Sequence, residues 1–387
     1  MSASHGDPGV RSWRGDDNES KLSDSEMNVL KPAVVVTGVA GHLGLRLLPQ
    51  LYDFSVIGID VRPPKTDLPL RFVRMDLGQE ESCLQLIHLF RETRPVGVVH
   101  LAFVLDQVRM GVFDLQHMWQ INVAGTARVM EAISVANRDE GGIEKFVFPS
   151  SVSAYGPSPR PLSEDSPLQA HTYPYGMHKR ECDEVVQQRA PSLGGCSVYI
   201  LRPHIFAGPS VDNYLVGIFR GTPSGRSRSA ARMRAKGKRL PCLLPFGEQY
   251  LQNRVQYVHI DDVARLIAHI LRRGPEAKRI TILNVAGRGD PLTIARCIKL
   301  SGCKVIRVPG QWACKLALQL AWRLGVSAIP PEITPYMTGQ CIMTADRLRA
   351  FLGSEYEVVM RHNVEEAFVE SLAGVVPGVA LAKSAAE

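Results

Sequence analysis

Tyr175 and Lys179 stand four residues apart in TYPYGMHKRECDE (172–184), just after a Tyr-Pro step. Residues at i and i+4 on a helix are neighbours, so a helix here puts a phenol and an ammonium one turn apart on one face. A free tyrosine, with a pKa of about 10, is a poor base at neutral pH. A nearby ammonium favours the phenolate and lowers that pKa. Such a pair suits the handling of a hydroxyl proton. The same spacing occurs on ordinary amphipathic surface helices, so its meaning depends on the elements around it.

Those elements begin with AVVVTGVAGHLGLRLLPQL. A short β-branched run, Ala33 to Val36, turns at Thr37-Gly38 and enters a helical pattern near Gly41. Gly38, Gly41 and Gly44 form G-x-x-G-x-x-G between a strand and a helix, the setting in which a tight turn brings backbone N–H groups up to a pyrophosphate. FSVIGID follows and ends at Asp60, 22 residues after Gly38, where a carboxylate meets the adenosine ribose hydroxyls. A carboxylate repels a 2′-phosphate, so NAD is expected over NADP; Arg62 nearby is the residue that would argue otherwise. Strand-like runs then end at Asp76, near His100 and at Ser150-Ser151, with helical stretches at about 79–92 and 112–137 between them. That alternation predicts a parallel sheet covered on both faces, with ligands at the carboxyl ends of its strands. His100 is expected to be a packed, satisfied histidine.

The chain has 387 residues, 45% of them hydrophobic, enough for a large core. No run of about 20 apolar residues is present, so membrane insertion is not expected. Residues 1–30 are polar without an apolar signal core and read as a disordered tail, and Met27 is a candidate start. The eight cysteines form no CxxC pair and no metal-ligand spacing, which points to reduced thiols in a cytoplasmic protein and to no metal site. Of the net charge of +7, eight cations fall within 220–239 with no acid; without those eight the balance is −1 (seven less eight). The segment reads as a flexible, solvated basic insertion, or else as an attractor for an anionic substrate or lipid surface. It contains no aromatic residue for base stacking, so nucleic acid is not an expected partner.

In order along the chain, TGVAGHLG, DVR at Asp60, MDL at 75–77, VVHLAF, INVAGT at 121–126, FPSSVSAYG at 148–156 and YGMHK at 175–179 resemble the extended short-chain dehydrogenase/reductase superfamily. More narrowly, the chain is similar to the NAD-dependent nucleotide-sugar epimerase/dehydratase family, over about residues 33–273 and more loosely to 373. The resemblance implies a Rossmann-type α/β fold, a doubly wound parallel sheet with a smaller C-terminal substrate lobe. It implies a catalytic trio of Ser151, Tyr175 and Lys179, with Tyr155 a scaffold residue. It implies NAD held by Gly38, Gly41, His42, Leu43, Gly44, Asp60, Arg62, Asp76, Leu77, Leu101, Ala102, Asn122, Tyr175, Lys179 and Pro203. Val104, Ser153, His204 and Arg254 are the implied substrate contacts, and the partners are a nucleotide sugar and a second copy of the chain in a homodimer.

The domain expectation is a tail (1–30), a cofactor domain (31–203), a mixed substrate lobe (204–373) with returning Rossmann elements at about 255–287, and a flexible end (374–387). Ile205 stands where nucleotide-sugar enzymes often carry Asn, and the basic segment falls where the family closes over its nucleotide. Val152 and Ser153 stand where dehydratases of the family carry an Asp-Glu pair, so a 4,6-dehydratase is not expected; Glu164 and Asp165 are expected at the surface. In 311–325, apolar positions at helical spacing with Lys315 and Arg323 opposite predict a packed amphipathic helix. The leading function is C4 epimerisation of a nucleotide sugar. The alternatives are a dehydrogenase or reductase of a hydroxylated lipid, and a non-catalytic NAD-binding regulator.

Overall fold

The computed structural model describes residues 31–105, 108–109, 112–139, 141–209, 211, 213–274 and 279–373. The tail expected over 1–30 and the flexible end over 374–387 lie outside the described residues.

Seven strands form the central sheet: β1 (Ala33–Thr37), β2 (Ser55–Asp60), β3 (Arg71–Arg74), β4 (Gly97–His100), β5 (Lys145–Pro149), β6 (Ser197–Pro203) and β7 (Ile280–Val285). Their order is β7-β6-β5-β4-β1-β2-β3 and every pairing is parallel. Successive side chains of a strand point to opposite faces, and β1 uses both: Val34 and Val36 join one apolar layer while Val35 joins the other. The second layer includes α2 (Ser82–Thr93), α3 (Gly125–Asp139) and α4 (Pro174–Arg189); the first includes α1 (His42–Leu47) and α6 (Ile260–Arg272). Burial on both faces is why these strands read as unbroken apolar runs. Lys145, at the start of β5, is buried because its ammonium donates to the carbonyls of Leu271 and Arg273 at the end of α6, a position that favours a cation.

The long helix before β5 is not uniform. Leu115–Trp119 is α-helical, Gln120–Ala124 forms a π turn, and α3 continues to Asp139. The widened turn exposes the Asn122 carbonyl, which Thr126 Oγ1 (2.6 Å) and Cys182 Sγ (3.2 Å) occupy.

The described residues from Pro32 onward form one compact unit. The chain goes out into the lobe after β6 and returns through Tyr257–His259, α6 and β7. The lobe has its own small core around Phe219, Cys242, Cys297 and Phe368. All eight cysteines are free thiols, although Cys83 and Cys341 are only half-buried.

Two expectations are corrected. The basic segment is solvated at Arg226, Arg228, Arg232, Lys236 and Lys238 but is not a loop: Arg228–Ala235 is a helix (α5) capped by Ser227, and Arg220, Arg234 and Arg239 hold backbone carbonyls. Glu164 is buried, not at the surface, because the Asn284 backbone N–H (2.9 Å) and the Arg347 guanidinium compensate its charge. Asp165 is exposed as expected. The helix anticipated at 311–325 is α7 (Gly310–Arg323); Cys314 and Leu318 pack inward, but a second apolar stripe remains exposed. Among the described residues no helix is long and apolar enough to cross a membrane.

Candidate active site

The strand order reverses between β1 and β4, and a crevice opens at the carboxyl ends of that pair. Gly38 sits there with φ +68°, and a Cβ on it would lie 2.5 Å from Ala102 N, so no other residue fits without moving the β4 end. A Cβ on Gly44 would lie 2.5 Å from Val39 O, which is how closely α1 approaches the turn. α1 begins at His42 with Gly41 as its cap and no side-chain cap bond, so its first N–H groups are left for a ligand. Asp60 ends β2 beside this turn. Its Oδ2 accepts from Ala40 N (3.0 Å) and its Oδ1 from Arg62 N (3.2 Å), which fixes the carboxylate and leaves acceptor capacity for ribose hydroxyls. The Arg62 and His42 side chains are exposed.

Asp76 turns the chain after β3 by accepting from Gly78 N (2.9 Å), with Leu77 buried beneath it. Leu101 and Ala102 follow β4, and Ala102 N donates to Thr37 Oγ1 (3.2 Å). Asn122 meets this loop from the π turn: its Oδ1 accepts from Val104 N (2.7 Å) and its Nδ2 donates to Val104 O (2.9 Å). Its amide is thus spent on the loop, with His178 as a further partner (3.2 Å). Asn122 acts on the crevice by positioning Val104. His100 is satisfied, as expected, by Thr37 Oγ1 (2.7 Å) and Thr126 Oγ1 (3.0 Å), and burial pushes its pKa down to about 3.

The predicted trio meets beside this crevice. β5 delivers Ser150 and Ser151 at its end, and α4 delivers Tyr175 and Lys179 from its first turn and a half. Ser151 Oγ accepts from Ser153 N (3.1 Å), and Ser151 and Tyr175 line the same cleft. Burial pushes the Tyr175 pKa above its usual value, and the Ser151 hydroxyl acts in the opposite direction. Here the expectation from spacing is not met. Lys179 Nζ donates to Pro149 O (2.7 Å), lies 3.7 Å from the Phe103 ring centroid and is 5.9 Å from that of Tyr175. Its charge is held by a carbonyl and an aromatic face, and burial lowers its own pKa to about 8. The i, i+4 spacing aligns the two residues without putting ammonium on phenol.

A buried polar network fixes the parts from below. Arg202 on β6 holds Asp183 on α4 through two 2.9 Å bonds, and its Nη1 donates to Tyr155 Oη (2.7 Å) and Glu164 O (2.9 Å). Tyr155, at the end of the turn that Ser151 caps, donates in turn to Asn284 Oδ1 (2.7 Å) on β7. Tyr155 is therefore scaffold, as the motif implied.

Two adjoining hollows share Val152, Ser153, His204, Ile205 and Leu215. One reaches Ser151, Tyr175 and Pro203, and the other reaches exposed Arg254. His204 lines both, yet its Nε2 bonds Cys341 O (2.6 Å), its Nδ1 accepts from Ile205 N (2.9 Å), and burial lowers its pKa to about 4; it is a neutral wall. Sequence reasoning missed Phe103, which seats Lys179, and Tyr336, whose hydroxyl donates to Ser153 O (3.2 Å). Phe103 lay inside the quoted VVHLAF motif; Tyr336 carried no local signal. The residues fit a dinucleotide: two strands from the glycine turn, at the carboxyl end of β5, Ser150 Oγ is buried with no hydrogen-bond partner among the described residues.

A family model described as "NAD dependent epimerase/dehydratase family" matches residues 34–286. The UDP-glucose 4-epimerase of Haemophilus influenzae (strain ATCC 51907 / DSM 11121 / KW20 / Rd) is 26% identical over 284 residues, covering 69% of this chain and 81% of that protein. The UDP-glucose 4-epimerase of Bacillus subtilis (strain 168) is 27% identical over 250 residues, covering 60% and 70%. Among solved structures, the UDP-glucose 4-epimerase of Thermus thermophilus in complex with NAD aligns with a TM-score of 0.60, covering 88% of this chain and 99% of its own, at 22% identity. At that identity the likeness is one of fold.

Proposed function

The chain belongs to the NAD dependent epimerase/dehydratase family, and from that premise we propose that it is an NAD-dependent epimerase of a nucleotide sugar, acting at C4 through a transient keto sugar. The observation that carries this reading is that Ser151, from the end of β5, and Tyr175, from the start of α4, line one cleft at the carboxyl edge of a sheet whose first strand ends in the glycine turn. When bound, NAD supplies the hydride acceptor and donor. Tyr175 takes the hydroxyl proton and gives it back, while Ser151 holds the substrate oxygen beside it. The Ser151 hydroxyl favours the phenolate against the burial that opposes it. Lys179, seated on Phe103 and Pro149 O, would meet a bound cofactor from a fixed position. The adjoining hollows supply the room in which a keto sugar turns over to offer its other face.

Asp60 selects NAD, since a 2′-phosphate would meet its fixed carboxylate. Dehydration is excluded from the proposal: Val152 cannot carry a proton, and the Ser153 hydroxyl is too weakly acidic. Glu164, the nearby acid, is committed to Asn284 N and Arg347.

A second reading, a dehydrogenase or reductase of a hydroxylated lipid, draws on the apolar wall of the hollow that reaches Arg254, where Ile205, Leu215, Ile218, Leu243 and Met337 gather. Incubation with UDP-glucose or UDP-galactose, followed by NMR, separates the readings. Epimer formation without net NADH supports the epimerase, whereas oxidation of a hydroxylated lipid with stoichiometric NADH selects the dehydrogenase. Retained NAD without turnover marks a regulator, and a 4-keto-6-deoxy sugar would overturn the exclusion of dehydration. We further propose a homodimer through the helices bearing Asn122 and Tyr175, supported by exposed Leu115 and Trp119 leading into α3. A cytoplasmic setting is supported by the eight free thiols.

A further inference from the structure

The substrate lobe has a charge distribution unlike the rest of the chain. Residues 213–247 hold the eight cations of the basic segment, and 291–331 hold Arg296, Lys299, Lys304, Arg307, Lys315 and Arg323; neither stretch contains an Asp or Glu. The two stretches fold together, because Cys242–Pro245 from the first pairs in parallel with Val305–Val308 from the second. α7 follows that second strand at once.

On α7, Trp312, Leu316 and Leu320 recur every four residues, and Leu324 follows one turn later. They are 67%, 50%, 52% and 68% exposed. Phe246, also exposed, bonds Val308 O through its N–H (2.9 Å), at the end of the strand pair from which α7 departs. The opposite side of α7 is packed by Cys314 and Leu318. The helix therefore has an apolar face with a partner and an apolar face without one. α5 begins where α7 ends: Gly225 N donates to Val326 O (3.0 Å) and Ser227 N to Gly325 O (2.9 Å). Arg220, Arg234 and Arg239 are spent on carbonyls that hold this segment in shape. Arg226, Arg228, Arg232, Lys236 and Lys238 are exposed, and none pairs with a carboxylate among the described residues.

We propose that this face docks on the surface of a bilayer containing anionic lipid, with Trp312, Leu316 and Leu320 at the headgroup–acyl boundary and the α5 cations against the headgroups. A helix lying in that boundary needs an apolar stripe, flanking cations and, favourably, a tryptophan at headgroup depth. All three occur here within one joined pair of helices. A second copy of the chain is a poor occupant, because it would bring the exposed Arg226, Arg228, Arg232, Lys236 and Lys238 of one copy against the same five cations of the other. The proposal does not depend on which sugar or lipid the active site takes.

The test is sedimentation of the full chain with vesicles of phosphatidylcholine alone and of phosphatidylcholine with about one quarter phosphatidylglycerol. Binding is expected to the mixed vesicles at low salt, to fall about tenfold or more in 0.5 M salt, and to be at least tenfold weaker on phosphatidylcholine alone. Trp312→Ala with Leu320→Ala, and separately Arg228→Gln with Arg232→Gln and Lys236→Gln, should each weaken vesicle binding about tenfold. Circular dichroism and turnover without vesicles should be unchanged, because none of these residues lines the cleft. Absence of binding to the mixed vesicles, or binding that either variant set leaves intact, overturns the proposal. So does a dimer, seen by ultracentrifugation, that Trp312→Ala with Leu320→Ala disperses.

Discussion

Arg202 of the sheet half and the outer arginines of the lobe are used in opposite ways. In the sheet half, Arg202 is 2% exposed and all its bonds serve geometry: two to Asp183, one to Tyr155, one to a carbonyl. In the lobe, Arg226, Arg228 and Arg232 reach into solvent. A desolvated cation must be matched atom by atom, so it fixes the elements that match it. An exposed cation fixes nothing and acts at a distance through its field. The difference teaches where rigidity is needed. Ser151 and Tyr175 arrive from a strand end and a helix, and the Arg202–Asp183 pair locks that helix to the sheet.

The comparison can be broken at several points. Tyr175→Phe should lower turnover about a thousandfold, within the range for losing a general acid/base, while calorimetry finds NAD binding retained. Near-normal activity would remove the sheet half's claim to the chemistry. Asp183→Ala should cost about 3–5 kcal/mol in urea unfolding, because it strands a buried guanidinium; a cost below about 1 kcal/mol would mean the network is dispensable.

A pH series sharpens the same point. His100 stays neutral in the fold down to about 3, whereas an unfolded histidine takes up its proton near pH 6.5. Its contribution is whole above about pH 6.5 and drains away as pH falls from there towards 3. At pH 5 the loss is about 2 kcal/mol, and unfolding of His100→Asn followed over the same range should show a shallower slope. Asp60→Asn should narrow the preference for NAD over NADP about tenfold by calorimetry, as expected of one charge–phosphate repulsion; equal affinities in the parent protein would shift the ribose assignment to Arg62. The smallest effect belongs to the lobe: Arg232→Glu should change stability by less than about 0.5 kcal/mol, read as an unchanged melting midpoint.

Much of the sheet half was legible because its signals are local. The glycine triplet, the carboxylate at the end of β2, the apolar strand runs and the Tyr175–Lys179 spacing all lie within single elements. The lobe was legible mainly where it rejoined the sheet, at Tyr257–His259, α6 and β7. What escaped was non-local. Glu164 sits in a Pro-rich stretch that looks like surface, and only Asn284, 120 residues on, shows it to be buried. The basic segment looked like a loop because its composition is polar, yet Ser227 caps a helix, Arg220 and Arg239 find carbonyls far along the chain, and Arg234 holds the segment's own Pro223 O. Spacing put Lys179 and Tyr175 on one face, but Pro149 and Phe103 decided where the ammonium rests.

The π turn at Gln120–Ala124 makes the chain unusually sensitive to length at one place. Each residue of a helix advances the backbone about 100° around its axis. Deleting a single residue there would give an unbroken α-helix and swing Leu115–Trp119 by that angle about α3, while Asn122 turned away from Val104. The loop that carries Leu101 to Val104 would then lose the amide that grips it at both its N–H and its carbonyl. Substitution at most positions of this helix alters one contact. A change of one residue in length at this turn re-indexes every contact before it, so insertions and deletions that the surface loops would absorb are here changes to the active site itself.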